Sequence, residues 1–308
     1  MTKRIRLLYA AYFVRALLGL TFLVSATAKL AAVDSFETYL FSTGFLRLAT
    51  AGILSRIVIS AEYTVGILLV VNIRPLAVSA LTLAMLSAFL AWTVLFRDLG
   101  DCHCFGDLIE FNYLQSLLKS IVMIAALTAS TLPLLSRKEP APFILRRKKL
   151  WLASSILIPL ASVFTLNPPD TWKYKSQPED IRGFSSAIFK SAVENGELPP
   201  YMLENERIIC FFSVHCEYCR LSASRLATLR SRGEFSNAPV TALFGTVGDG
   251  TGAEEAAEKF LHESGLTPDS CIFLDASTFL KTVDGELPLI AVLKDGRAEA
   301  VYRYRDLR

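Results

Sequence analysis

The chain of 308 residues contains 52% hydrophobic and only 20% charged residues, and its formal net charge is +3. Its mean hydropathy of +0.41 excludes a single soluble domain, and its length allows two domains. Nearly all of the long apolar runs lie before residue 167. We therefore expect an integral membrane half followed by a soluble half.

Five stretches in the first half are long and apolar enough to cross a hydrocarbon core, which takes about 20 residues. They run over Leu7–Val33, Ile53–Asn72, Pro75–Phe96, Tyr113–Leu135 and Leu150–Leu166. The first stretch has an alternative explanation, because basic residues before an apolar run that ends in Ala26-Thr27-Ala28 resemble a cleaved secretory signal. The run is longer than a signal core and contains Arg15, which favours a retained span.

Basic residues predict the sidedness of the spans, because short cytoplasmic loops are enriched in lysine and arginine. They occur at the amino terminus, at Arg74 between spans two and three, and in a cluster at 137–149 between spans four and five. With a cytoplasmic amino terminus, five spans place Cys102, Cys104 and the tail after Leu166 on the oxidising, exported side of a bacterial inner membrane. The cluster is explained as a topology anchor or acidic-lipid contact, and nothing indicates nucleic-acid binding.

The soluble half begins with a polar linker at Asn167–Asp180, a helical stretch at Phe184–Glu194 and an apolar strand at Arg207–Ser213. The strand runs directly into Cys216-Glu217-Tyr218-Cys219, and a helix continues to Arg232. A cysteine at a helix amino terminus meets unpaired backbone N–H groups and the positive end of the helix dipole, which stabilise a thiolate. We expect Cys216 to be the exposed attacking thiol and Cys219 the resolving thiol, close enough for a disulfide.

The remaining pattern alternates strands and helices. It comprises a strand at Val240–Val247, a helix at Ala253–Gly265, a strand at Cys271–Leu274, and a hairpin of Leu289–Lys294 and Ala298–Tyr304 that follows Leu287-Pro288. Over about residues 200–305, this order resembles the thioredoxin fold and, within it, the membrane-anchored TlpA-like thiol oxidoreductases. The resemblance places Pro288 at the family's cis-proline, beside the dithiol.

The chain departs from this family at the dithiol itself. His215 replaces the usual tryptophan and Glu217-Tyr218 replace Gly-Pro, and with the sequence ending at Arg308 we expect no final helix. Glu217 disfavours a thiolate and a protonated His215 favours one; the balance slightly favours a domain that reduces its clients.

The other roles of cysteine were weighed as well. Zinc or haem binding by the C-x-x-C motif is disfavoured, because residue 220 is arginine and no second C-x-x-C completes a four-ligand site. Cys210 and Cys271 lie in apolar strands, where we expect buried, inert thiols, with a disulfide between them as the alternative.

The membrane half carries a second set of chemically informative residues. They are Gly19, Phe22, Ser25 and Lys29-Leu30 in span one, Glu62 and Gly66 in span two, and Cys102-His103-Cys104-Phe105-Gly106-Asp107 after span three. Over about residues 8–135, this pattern resembles the MauE methylamine-utilization family of DoxX-like membrane proteins. The resemblance implies a redox-associated four-helix bundle, likened to quinone-coupled disulfide-forming enzymes.

Lys29 and Glu62 fall at a similar depth and could pair, because a lone charge near the membrane centre costs roughly 2.5 to 3.5 kcal/mol. A helix-locking ion pair and a proton relay beside the dithiol are both open explanations. A disulfide between Cys102 and Cys104 needs a tight turn and is expected to be strained and easily reduced. Zinc binding by these cysteines and His103 lacks a further ligand.

The sequence therefore predicts a membrane α-helical bundle followed by an α/β thioredoxin-like domain. The predicted divisions are the bundle at 1–136, a basic cytoplasmic loop and fifth anchoring span at 137–166, a linker and pre-domain helix at 167–199, and the thioredoxin-like domain at 200–308. We interpret the chain as a thiol:disulfide oxidoreductase that relays electrons between Cys216/Cys219 and Cys102/Cys104, with exported protein thiols or disulfides as clients. No cofactor is required, and the candidate membrane partner is a quinone or a thiol donor. The alternatives are a quinone-coupled disulfide-forming enzyme and a non-catalytic assembly factor of the methylamine-utilization type.

Overall fold

The computed structural model describes residues 2–97, 112–135, 148–175, 181–246 and 252–308. The chain divides into two compact units, residues 1–169 and 170–308. The first unit is helical and the second is a mixed α/β domain, which confirms the predicted order of the two fold classes. Cys102, His103 and Cys104 lie outside the described residues.

Apolar helices build the first unit. They are α1 (Thr2–Ala31), α2 (Val33–Ser42), α3 (Leu48–Val71), α4 (Pro75–Leu95), α5 (Tyr113–Leu135) and α6 (Lys148–Leu166). By length and composition, four can cross a membrane, over Ile5–Ala31, Leu48–Val71, Pro75–Leu95 and Tyr113–Leu135, whereas Leu150–Leu166 is a shorter apolar segment. That segment is about 26 Å long, so the fifth span stays a prediction.

Close packing joins α1 to α3. A Cβ atom at Gly19 would lie 2.7 Å from the carbonyl oxygen of Gly66, so only glycine allows these two backbones to approach so closely. Nearer its start, α1 is anchored by Arg15, whose Nε donates to Asn72 Oδ1 (2.9 Å) and whose Nη2 donates to the Pro75 carbonyl (3.2 Å). These contacts favour a retained span over a cleaved signal.

The contacts of Arg15 mark one end of the bundle, where the turn between α3 and α4 lies beside the first half of α1. The last turns of α5 reach the same end, because Thr131 Oγ1 donates to Ser79 Oγ of α4 (2.9 Å). The 72–75 turn and the last turns of α5 are therefore neighbours.

The opposite end is defined by contacts at the other termini of the same helices. The ring of Phe45, between α2 and α3, lies 5.8 Å from that of Phe96 at the end of α4. Arg56 Nε, near the start of α3, donates to the carbonyl of Asn167 just after α6 (3.1 Å). The ends of α4 and α6 thus both lie near the start of α3.

The second unit contains one five-stranded sheet. Its strands are β1 (Glu206–Phe212), β2 (Val240–Thr246), β3 (Ser270–Asp275), β4 (Leu289–Lys294) and β5 (Arg297–Tyr302), and its helices are α7 (Asp170–Lys173), α8 (Ser186–Glu194), α9 (Glu217–Ser231), α10 (Ala253–Ser264) and α11 (Ala276–Thr282). The strand order is β3-β2-β1-β4-β5; β1, β2 and β3 are parallel, while β4 runs antiparallel to β1 and β5 antiparallel to β4. The strand before the dithiol is consequently the central one.

Two features of this unit differ from the sequence prediction. The helix α8 is not a separate element ahead of the domain, because Phe189 is 0% exposed and packs in the same core as Phe211 and Phe279. The seven-residue α11 was not predicted, since it is too short to show helical periodicity. Its start is capped by the carboxylate of Asp275, which accepts from the Ser277 N–H (2.9 Å).

Candidate functional site

The dithiol lies where the central strand β1 ends and α9 begins. Cys216 is the N-cap residue of α9, and its sulfur accepts a hydrogen bond from the Cys219 N–H (3.3 Å). Cys216 is partly accessible, whereas Cys219 is buried. The structure therefore places the two cysteines as predicted, with Cys216 outward and Cys219 beneath it.

Hydrogen bonding lowers the pKa of Cys216 to about 6. The largest cause is the hydrogen bond with the Cys219 side chain, and the backbone N–H groups of Cys219 and Tyr218 add to it; partial burial and the Glu217 carboxylate oppose the shift. Glu217 thus acts in the predicted direction, but the hydrogen bonds outweigh it. At neutral pH, Cys216 is a thiolate and can attack a disulfide.

The pKa of the second thiol, Cys219, is shifted in the opposite direction. The hydrogen bond with Cys216 and, after it, burial raise the pKa of Cys219. The Ser213 N–H points at its sulfur from 3.5 Å. A protonated, inaccessible Cys219 cannot compete for external disulfides, which suits a thiol that acts only after Cys216 has reacted.

Pro288 lies at the same end of the sheet as the dithiol. The Leu287–Pro288 peptide bond is cis, as the thioredoxin resemblance implies. The next residue, Leu289, pairs with Phe211 near the end of β1, so the turn that contains Pro288 faces the loop leading to Cys216.

Sequence reasoning missed a stacked group beside the dithiol. Tyr218, which is 44% exposed, lies against Tyr304 with ring centroids 5.0 Å apart. The buried Arg225 lies 3.9 Å from the Tyr304 ring centroid and donates to its hydroxyl (2.6 Å) and its carbonyl (3.2 Å). These contacts hold Tyr218 of the C-x-x-C motif against Tyr304. Because the residues of this group are far apart in the sequence, no local sequence pattern predicts their contact.

The remaining two described cysteines do not form a disulfide. Cys210 pairs with Ala242, which pairs with Cys271, so two strand spacings of about 4.8 Å separate the cysteines and exceed the reach of a disulfide. Cys210 is buried as predicted, and burial raises its pKa. The predicted burial of Cys271 is wrong: the residue is exposed, because β3 is an edge strand.

In the bundle, the structure brings together the predicted membrane pair. Lys29 Nζ lies 2.5 Å from Glu62 Oε1 and donates to Ser25 Oγ (2.9 Å), and Ser25 Oγ donates to Glu62 Oε2 (3.2 Å). Lys29 and Glu62 are both buried. The described ion pairs include a second buried one, between Glu37 of α2 and Arg56 of α3, which sequence reasoning missed because α2 itself was not predicted.

The helix α5 begins at Tyr113, where the fourth predicted span begins. The Asn112 N–H donates to Gln115 Oε1 (3.0 Å), so the helix begins directly after the segment that carries Cys102 and Cys104. Within the described parts of the chain, no group of three or more His, Cys, Asp or Glu side chains is placed to hold a metal ion.

The lowered pKa predicts a specific pH dependence. In the reduced protein, alkylation of Cys216 by iodoacetamide should rise with a midpoint near pH 6, because protonation below that pH removes the nucleophilic thiolate. Cys271 is an internal control: partial desolvation of its sulfur and the carboxylates of Glu254 and Glu258 raise its pKa, so its alkylation should rise only at a pH above that of an ordinary cysteine. Mass spectrometry of each peptide measures both rates, and a Cys216 midpoint near 9 would contradict the assignment.

Comparisons with known proteins agree with this division of the chain. Residues 7–133 match the family described as methylamine utilisation protein MauE. Protein TlpB of Flavobacterium psychrophilum is 27% identical over 277 residues, which cover 75% of this chain and 75% of TlpB. No solved structure gives a significant match. The chain thus contains a MauE-type membrane domain fused to a thioredoxin-like domain, is a multi-pass membrane protein, and has a membrane-associated function related to redox or thiol chemistry.

Proposed function

We propose that the protein is a membrane-bound thiol:disulfide oxidoreductase whose reactive group is the Cys216 thiolate. The observation that carries this proposal is the N-cap geometry of Cys216, with its lowered pKa, directly above the buried Cys219. A purely structural pair of cysteines has no need for one stabilised thiolate. The MauE-type domain and the similarity to TlpB support a redox function.

The exchange proceeds in two steps. The Cys216 thiolate attacks a client disulfide; one S–S bond breaks as the mixed disulfide forms, and the client's other sulfur leaves as a thiolate. Cys219 then gives up its proton and attacks Cys216, which releases the second client sulfur. The client has gained two electrons and the domain holds a Cys216–Cys219 disulfide; the reverse sequence oxidises a client dithiol.

We further propose that Cys102 and Cys104 connect this dithiol to the membrane. The support is geometric: the Phe45–Phe96 and Arg56–Asn167 contacts hold the ends of α4 and α6 near the start of α3. Cys102 and Cys104 follow α4 in the sequence and Cys216 follows α6, which supports a shared side of the membrane for the two dithiols. Because the basic residues of the sequence lie at the amino terminus, at Arg74 and at 137–149, the positive-inside rule assigns the dithiols to the exported side of the bacterial inner membrane, with a cytoplasmic amino terminus. Exported protein thiols are the clients.

The direction of electron flow follows from the thiolate. A low pKa stabilises the reduced form of a dithiol and makes the domain more oxidising. The sequence alone slightly favoured client reduction, because Glu217 opposes a thiolate; the hydrogen bonds from the Cys219 side chain and from two backbone N–H groups outweigh that carboxylate. Disulfide formation in clients, with electrons passing toward the membrane, is accordingly the direction we propose.

The relay has a direct test in cells. With Cys219→Ser, resolution within the domain is lost, so Cys216 should accumulate a disulfide to Cys102 or Cys104, visible by acid trapping and non-reducing peptide mapping. In a second arm with Cys219 intact, Cys102→Ser and Cys104→Ser should shift Cys216/Cys219 toward the reduced state, because their electron outlet is gone. Cys271→Ser serves as the control, since this exposed thiol lies outside the proposed path.

The same experiment separates the relay from the assembly-factor function. A non-catalytic membrane half would tolerate loss of Cys102 and Cys104. An identical resting state of Cys216/Cys219 with and without these two cysteines would refute the relay and support that alternative.

A further inference from the structure

A cavity of about 240 Å³ lies inside the helical bundle. Five aromatic side chains line it, Phe22, Phe36, Tyr39, Phe89 and Trp92, together with Lys29, Glu62 and Ser25. Ala88 also lines it and is exposed on the outer surface of α4. The cavity is thus lined mainly by aromatic side chains, it has polar groups on α1 and α3 and also Lys119 and Ser120 on α5, and one side of it reaches the lipid-facing surface.

Two polar features distinguish this cavity from a packing defect. Lys29 is held by Glu62 and Ser25, and its Nζ lies 5.6 Å from the ring centroids of both Phe36 and Phe89. The indole N–H of Trp92 is buried and has no hydrogen-bond partner among the residues that the structure describes. An unpaired buried donor is costly, and a ligand that brings an acceptor would remove this cost.

Building on the relay proposed above, we infer that this cavity binds the head ring of a membrane quinone. A flat ring can stack against the aromatic walls, and its carbonyl oxygens are acceptors for the Trp92 N–H and the Lys29 ammonium. The isoprenoid tail would leave past Ala88 toward the bilayer. A phospholipid acyl chain would fill the apolar volume but would leave the indole N–H unpaired, so the polar groups favour the quinone.

The redox step balances with this ligand. When the reduced Cys102/Cys104 dithiol of the relay closes to a disulfide, it gives up two electrons and two protons. The quinone takes up both, and its two carbonyl oxygens become the hydroxyls of the quinol. Quinones are the two-electron acceptors of the membrane phase, so the ligand supplies the oxidant that disulfide formation requires.

Binding can be measured without turnover, on the oxidised full-length protein in detergent micelles. Decylubiquinone is the probe, and decylbenzene, which has the same tail but lacks the carbonyls, is its comparison. We expect saturable binding of decylubiquinone that Trp92→Phe weakens about tenfold, through loss of one hydrogen bond. Ala88→Trp should abolish binding by filling the entrance, whereas Leu83→Trp, the same change on a lipid-exposed position of α4 outside the cavity, should leave it unchanged.

Several outcomes would overturn the inference. The first is the absence of saturable binding. The second is equal binding of decylbenzene, which would identify an acyl-chain pocket. The third is wild-type affinity in both Trp92→Phe and Ala88→Trp. A second assay, quinol formation on addition of a reduced client peptide, separates the two proposals. Cavity-dependent binding without quinol formation would uphold the quinone site and refute the relay; wild-type quinol formation by Ala88→Trp would uphold the relay and refute the site.

Discussion

Replacing Cys216 with serine is expected to abolish thiol:disulfide exchange, whereas Cys219→Ser should leave attack intact and accumulate mixed disulfides with clients. The reason is that the two sulfurs differ in accessibility and in protonation. The Cys216 thiolate at the start of α9 is accessible and hydrogen-bonded, while Cys219 lies beneath it as a buried, protonated thiol. Without Cys219, the mixed disulfide forms but cannot be resolved from within.

The measurement combines an exchange assay on the purified full-length protein with non-reducing electrophoresis of trapped adducts. Cys271→Ser is a matched control, because it removes an exposed thiol of the same domain that lies on an edge strand; it should retain wild-type exchange. Comparable trapping by both dithiol variants, or exchange that survives Cys216→Ser, would refute the assigned roles.

The buried Lys29–Glu62 pair predicts the second large effect. Either Lys29→Met or Glu62→Met alone should lower the free energy of unfolding of the bundle by about 3 to 5 kcal/mol, because each leaves one charge buried without its partner. The double variant should recover most of the loss, since two methionines of similar size leave no charge behind. Unfolding of the full-length protein in detergent micelles, followed by circular dichroism, measures these differences.

Thr27→Val is the control for this series. It removes a hydroxyl on the exposed face of α1, where Thr27 Oγ1 and the Tyr63 hydroxyl are 2.9 Å apart, and should cost less than about 1 kcal/mol. If the double variant were as unstable as the worse of the single variants, the pair would not act as a helix-locking ion pair. The alternative explanation, a proton relay, would then gain support.

The membrane spans and the dithiol were predicted from sequence because both have local signatures. An apolar run of span length and a strand followed by C-x-x-C and a helix are readable within about 25 residues, and four of the five predicted spans meet the length and composition of a membrane helix. The fifth does not, because Leu150–Leu166 is short. The helices α2 and α11 were missed for a related reason: each is too short to display a period, and α2 is buried on nearly every side.

Sequence alone thus determined the fold class, the order of the two units and which thiol of the pair is accessible and which is buried, since these depend on residues adjacent in the chain. Tertiary structure decided what depends on distant contacts. Only packing shows that Cys271 is exposed on an edge strand, that α8 belongs to the domain core, that Arg225 and Tyr304 support Tyr218, and that Trp92 and Lys29 line one cavity. The pKa of Cys216 also depends on tertiary contacts. The helix position indicated that this pKa would be lowered, but the size of the shift follows from hydrogen bonds that outweigh the charge of Glu217.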